Sequence, residues 1–348
     1  MAWHSNSIWI FRRFDIFPED IHKDIAARTR PLIMNKIMNR HHETNPDQLF
    51  DLVAMDSAEA VLKEVLIILD MIDPCMETER VVSSFHMTVM LYKGNYEGYR
   101  ACNTGFHDLQ HAIDTFMAMA RLLHGAILEE NTLTADDITL GLITALLHDT
   151  GYIQEGHDKA GTGAKYTAMH VQRSMDFLKR HSRMYQLSEA EVIAGKKIIL
   201  CTDLSVGLDT VSFPSPKTEL LGKMLGTADL LAQMADRNYL EKILLLFYEF
   251  REARVGDYKD ELDLLKKTVG FYEFIAMRLK EALDETTRFM PLHFISRWHI
   301  QADLYQEAID KQKQYLKQLL ADPKPDLFRH LRRGKIVESI RKTYKDNL

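Results

Sequence analysis

The chain has 348 residues, 46% of them hydrophobic and 27% charged, with a formal net charge of −6 at neutral pH. That length can bury a sizeable core, and the composition is that of an ordinary globular chain rather than a disordered or fibrous one. The acidic balance offers no overall positive field for a nucleic acid, so none is expected as a partner. The three cysteines, Cys75, Cys102 and Cys201, lack C-x-x-C spacing and fit a reducing compartment better than a disulfide scaffold.

The first 48 residues read as irregular, broken by Pro18, Pro31 and Pro46. Arg12, Arg13 and Asp15 interrupt the only early apolar stretch, so no secretory signal is expected. The longest apolar runs, 65–69 and 243–248, are too short to span a bilayer. The expectation is a cytoplasmic protein with no membrane partner. The aromatic start (Trp3, Trp9, Phe11, Phe14, Phe17) is expected to serve packing or a contact between copies of the chain.

From residue 48 onward helical periodicity dominates and strand signals are nearly absent. A helix is predicted over 48–72, stopped by Asp73-Pro74, and another over 76–92, ending before Gly94-Asn95. The next, 105–124, places Leu109, Ile113, Phe116, Ala120 and Leu123 on one face. At about 100° per residue, His107, His111, Asp114 and Ala118 share another. Thr134 is a predicted N-cap with Asp136 and Asp137 in the first turn, followed by an apolar run over 138–147. His148-Asp149 ends that helix and Gly151 terminates it.

Residues 154–165 read as a loop, including His157, and 165–181 as a helix carrying His170. Ser188 and Glu191 form a predicted capping box for a helix reaching Cys201-Thr202-Asp203. Ser215-Pro216 is an N-cap and N1 pair, and the helix behind it carries Leu221, Leu225, Asp229 and Ala232 on one stripe. Helices over 238–254, 258–284 and roughly 300–320 complete the count. The basic segment 329–345 reads as a solvated amphipathic helix, with a phosphate-rich partner as the lesser alternative. The expected fold class is all-α. One catalytic domain, 1–348, would comprise an N-terminal helical part (1–95), a core holding the site (96–300) and C-terminal helices (301–348).

Asp229 lies on an apolar stripe, where a lone carboxylate costs several kcal/mol unless it is paired or binds a metal. His148-Asp149 offers two ligands from adjacent residues, and His111 supplies another. A single buried histidine is ordinarily a hydrogen-bonded core residue, so the joint pattern carries the reading. Nitrogen and carboxylate ligands without thiolate suit Zn, Mn, Fe or Mg, singly or as a pair.

The order His…His-Asp…Asp resembles the HD-domain metal phosphohydrolases, and more closely the catalytic domain of class I 3',5'-cyclic nucleotide phosphodiesterases. Four motifs carry the resemblance, spanning 106–237: Phe106-His107-Asp108-Leu109-Gln110-His111-Ala112-Ile113-Asp114, Ala145-Leu146-Leu147-His148-Asp149, Thr202-Asp203-Leu204-Ser205 and Ala228-Asp229-Leu230. The resemblance implies a compact helical bundle in which His111, His148, Asp149 and Asp229 hold the tighter metal and Asp149 bridges to a second. It also implies that a metal-held hydroxide attacks a small phosphoester such as a cyclic nucleotide, while His107 protonates the leaving alkoxide. The chain departs from the family where Tyr152 stands in place of a histidine, Asp108 in place of asparagine, and no purine-clamping glutamine can be placed. His170, Asp203 and Tyr152 are therefore the candidates around a second metal. The rival expectations are an HD-type di-iron oxygenase and a non-catalytic nucleotide-binding regulatory protein.

Overall fold

The computed structural model describes residues 48–345; the predictions for Pro18, Pro31, Pro46 and the aromatic start lie outside them. The chain divides into two units, Met1–Asp47 and Gln48–Leu348. The second unit is all-α: among the described residues there is no strand, only an isolated bridge between Tyr99 and Glu155. None of its helices is long and apolar enough to cross a membrane.

Eleven helices of ten residues or more build it: α1 (Ala58–Ile72), α2 (Glu79–Tyr92), α3 (Leu109–Leu128), α4 (Ala135–Leu147), α5 (His170–Arg180), α6 (Glu189–Leu200), α7 (Pro216–Ala235), α8 (Tyr239–Ala253), α9 (Glu261–Met277), α10 (Phe289–Trp298) and α11 (Leu304–Leu320). The caps explain several of these boundaries. Thr134 with Asp137, and Ser188 with Glu191, form reciprocal capping boxes at the starts of α4 and α6. Ser215 caps α7 with Pro216 at its first turn.

The core forms around α3, where every residue from 111 to 126 except Asp114 is buried. A helix apolar all round must be covered all round, and α1, α4, α7 and α10 pack against it. Residues 138–147 of α4 are likewise all buried. Because α3, α4 and α7 also touch one another pairwise, a polar side chain from each can meet at one point.

The structure corrects several predicted boundaries. The helix expected over 48–72 is a single turn, Leu49–Leu52, then a break, because Ser57 caps the amide of Ala60 and restarts the chain as α1. The helix expected from 105 begins at Leu109, because the Asp108 side chain accepts from the His111 amide at 3.0 Å. His107 thus precedes the helix and does not ride one turn below His111 on it. The segment 163–169 is a 3-10 turn that becomes α-helical only at His170. Helix α10 was not anticipated at all. The basic tail is no continuous helix: it breaks at Gly334 and Lys335, both left-handed, although Val337 and Ile340 are buried.

Candidate metal centre

His111 comes from α3, His148 caps the C-terminus of α4, Asp149 follows it, and Asp229 projects from α7. Their ligand atoms converge. The Nε2 atoms of His111 and His148 are 3.3 Å apart, and each is 3.4 Å from Asp149 Oδ2. Asp229 Oδ1 stands 3.0 Å from His111 Nε2 and 3.7 Å from His148 Nε2. Bonds of about 2.0–2.1 Å around one cation place neighbouring ligand atoms about 3.0–3.4 Å apart, so the buried group His111, His148 and Asp149 could hold a metal ion, with Asp229 beside the two imidazoles.

Two further observations match that donor set. The carbonyl of Ala145 lies 2.8 Å from His148 Nδ1. A carbonyl only accepts, so Nδ1 carries the hydrogen and Nε2 of the neutral ring turns its lone pair inward. Asp149 Oδ2 is buried and has no hydrogen-bond partner among the described residues, a costly state for a carboxylate that a cation would relieve. Burial opposes charge throughout the cluster. Even so, the imidazoles hold Asp149 and Asp229 well below the usual carboxylate range, and the two carboxylates hold His148 well above that of histidine. A cation bound here takes the place of those protons.

Asp149 faces a second side as well. Its Oδ1 lies 3.7 Å from Nε2 of His170, whose Nδ1 donates to the Thr167 carbonyl at 2.6 Å. The same tautomer argument leaves His170 Nε2 an acceptor aimed at an acceptor. Gly151 makes the approach of α5 possible: a Cβ there would sit 1.9 Å from the His170 carbonyl oxygen. Ser174 Oγ and Arg173 Nε bind the amide and carbonyl of Gly151, clamping the turn to α5.

His107 stands beside this group without joining it. Its Nδ1 donates to Glu249 Oε2 at 2.7 Å, while Glu249 Oε1 accepts from the amides of Gly105 and Phe106 at 2.7 and 2.6 Å. Burial works against its protonation, but the charge and hydrogen bond of Glu249 prevail and raise its pKa above the ordinary histidine value. Tyr152 stacks on two histidines, its ring centre 4.3 Å from that of His107 and 4.6 Å from that of His170, which are themselves 6.1 Å apart. Its hydroxyl faces Thr167, so Tyr152 braces the two imidazoles with its ring.

Asp203 is not brought to the cluster. Its Oδ1 accepts from the amide and hydroxyl of Ser205 at 2.8 and 2.6 Å, and Arg278 donates to the carbonyls of Cys201, Asp203, Leu204 and Val206 around it. The Thr-Asp-Leu-Ser run is a buttressed turn. His157 lies exposed in its loop, paired with Glu155. Two residues of the site were missed from the sequence: Gln233, whose amide donates to Asp229 Oδ1 at 3.3 Å, and Glu249. The signal for Glu249 was a lone acid within the apolar run of α8.

The model of the Npun_R2479-like family matches residues 87–307. The match covers more than half of the chain and includes every residue of the cluster, so the chain belongs to that family. No curated protein matches it.

Proposed function

We propose that this chain is a metal-dependent phosphohydrolase acting on a small phosphoester, with 3',5'-cyclic nucleotides as the first substrate class to try. The observation that carries the reading is the division of Asp149, one oxygen toward His111 and His148 and the other toward His170. A carboxylate used on both edges suits a bridge between two divalent ions. His111, His148, Asp149 and Asp229 would hold one ion, and Asp149 with His170 would contribute to the other. Divalent ions in such a site supply Lewis acidity toward a phosphoryl oxygen and lower the pKa of water to about 7.

The rest of the chemistry falls to the protein. An alkoxide leaves phosphorus poorly unless it is protonated, and His107 is the acid within reach. Glu249 takes the hydrogen of Nδ1 and holds the ring by its other edge. The Nε2 edge therefore carries the transferable proton. Tyr152 keeps the ring from tilting by stacking on its face. The order of motifs that resembles the HD-domain phosphohydrolases supports the same assignment.

The bridging carboxylate also favours a second reading, a di-iron oxygenase using the same ligands. One screen separates the two. Cyclic nucleotides, nucleotides and nitrophenyl phosphodiesters are supplied with Mg, Mn, Fe and Zn separately, and oxygen uptake is followed in parallel. Ester hydrolysis with at least one metal, without oxygen uptake, supports the hydrolase. Oxygen consumption by an iron-loaded protein that hydrolyses none of the esters replaces it.

A further inference from the structure

A cavity of about 640 Å³ opens along the face of α3 that carries Gln110, Asp114 and Arg121. Arg121 lies ten residues beyond His111, about 15 Å along the helix at roughly 1.5 Å per residue. It is 1% exposed. Its Nη1 donates to the Tyr305 hydroxyl at 3.0 Å, and its guanidinium carbon sits 5.5 Å from the ring centres of Phe294 and Tyr305. Its Nε and Nη2 are buried and find no partner among the described residues. A buried guanidinium without a carboxylate is costly, and this one lines a cavity of the size that holds small molecules.

The four acids that share the lining do not supply the missing partner: Asp56 is exposed and makes no hydrogen bond to Arg121 Nε or Nη2. Asp236 is paired with Lys242 at 2.6 Å. Asp108 caps the amide of His111. Asp114 accepts from Gln110 at 2.8 Å, and burial together with Asp236 pushes its carboxyl up to about 8, so it is largely uncharged at neutral pH. Arg237 and Arg333 add positive charge at the exposed rim, and Arg237 lies over the ring of Phe50. The cavity thus has a buried cation with two unpartnered donors just behind its wall, a cationic rim and an aromatic at its edge.

We propose that this cavity is a binding site for a small organic oxyanion, a phosphate monoester or a carboxylate. The oxyanion would pair with the free Nε and Nη2 edge of Arg121, and the apolar body would rest on the wall formed by Phe50 and Val53. A guanidinium edge of two N–H groups matches two oxygens of either anion. Arg121 lies about 15 Å along α3 from His111, so an anion paired with it does not depend on the phosphohydrolase reading.

Calorimetric titration of the full-length protein with phenyl phosphate, benzoate and phenol tests it. The two anions should bind, and phenol, the same ring without the charge, should bind at least tenfold more weakly. Arg121→Gln, which can still donate to Tyr305, should lose the anions at least tenfold while keeping its metal content and circular dichroism. His148→Ala should lose metal and still bind phenyl phosphate. Equal anion affinity in Arg121→Gln and wild type would overturn the proposal, as would loss in His148→Ala alone, which puts the anion on the metal. A crystal of the wild type grown with phenyl phosphate decides the matter even if a variant does not fold. Oxygens within about 3 Å of Arg121 support the site. An anion found only at the histidine cluster removes it.

Discussion

Glu249 and His107 are 142 residues apart in sequence and 2.7 Å apart in the fold, and the carboxylate grips both the imidazole and the two amides just before it. This one side chain fixes the position of the loop and the charge of the ring. Glu249→Gln keeps the shape and removes the charge. Burial then dominates, the pKa of His107 falls, and less of the acid form survives at neutral pH. The alkaline limb of the kcat/KM profile should move to lower pH, with a loss of roughly ten- to a hundredfold at pH 8, the weight of a hydrogen bond to a charged group. An unshifted limb would separate Glu249 from the protonation of His107.

Removing the acid itself is the stricter test. His107→Ala should keep its metal and lose roughly 10²–10⁴-fold on esters with alkoxide leaving groups. Nitrophenyl diesters, whose leaving group needs no proton, should lose far less. Equal losses on the two substrate types would contradict the assignment.

The second cation site rests on His170 reaching Asp149, and that rests on Gly151. His170→Ala should keep the tighter metal and lower turnover, with partial rescue by added Mn or Mg. Gly151→Ala must push α5 away and should cost roughly 1–3 kcal/mol in urea unfolding, while also weakening the rescuing metal. Full activity in both variants would leave His170 a purely structural residue.

The candidate metal group of His111, His148 and Asp149 was legible in the sequence because its polar residues lie within or at the end of apolar helices, a placement that demands a partner wherever the helices pack. The fold class was legible for the same reason, periodicity. The place of His107 was misread because helical period was extended across Asp108, whose capping propensity stops the helix there. Asp203 was misread because Asp-x-Ser closes a local turn as readily as it offers a ligand. Glu249 was invisible as a partner, since nothing local says which distant loop it will hold. Helix α10 was left out of the predicted elements; Pro291 sits in its first turn, where a helix tolerates it.

Away from the centre, His124 and His293 share a hydrogen bond between their Nδ1 atoms at 2.9 Å in the core. Burial, and then Arg297, pushes His124 down to about 4, and burial holds His293 well below the ordinary value. An unfolded histidine takes its proton at about pH 6.5. Between that value and about 4 the unfolded chain binds more protons at His124, so stability must fall as the pH falls through this window. Urea midpoints at pH 7 and pH 4.5 should show the drop, and His124→Leu should reduce it. An unchanged slope in the variant would place the acid sensitivity elsewhere.

A metal that binds only the folded chain must also stabilise it, by about 2.7 kcal/mol at a hundredfold excess over its Kd. Chelation should therefore lower the melting temperature of the wild type and leave that of Asp229→Ala, already stripped, almost unmoved. A chelator shift of equal size in both would mean that the stabilising ion sits somewhere else.

Elemental analysis of freshly purified protein bears on the metal centre most directly. The geometry of His111, His148, Asp149 and Asp229 predicts at least one transition metal per wild-type chain, and its loss in His148→Ala and in Asp149→Ala. Full occupancy in both variants, or a wild type that neither carries a divalent metal nor takes one up, would contradict it.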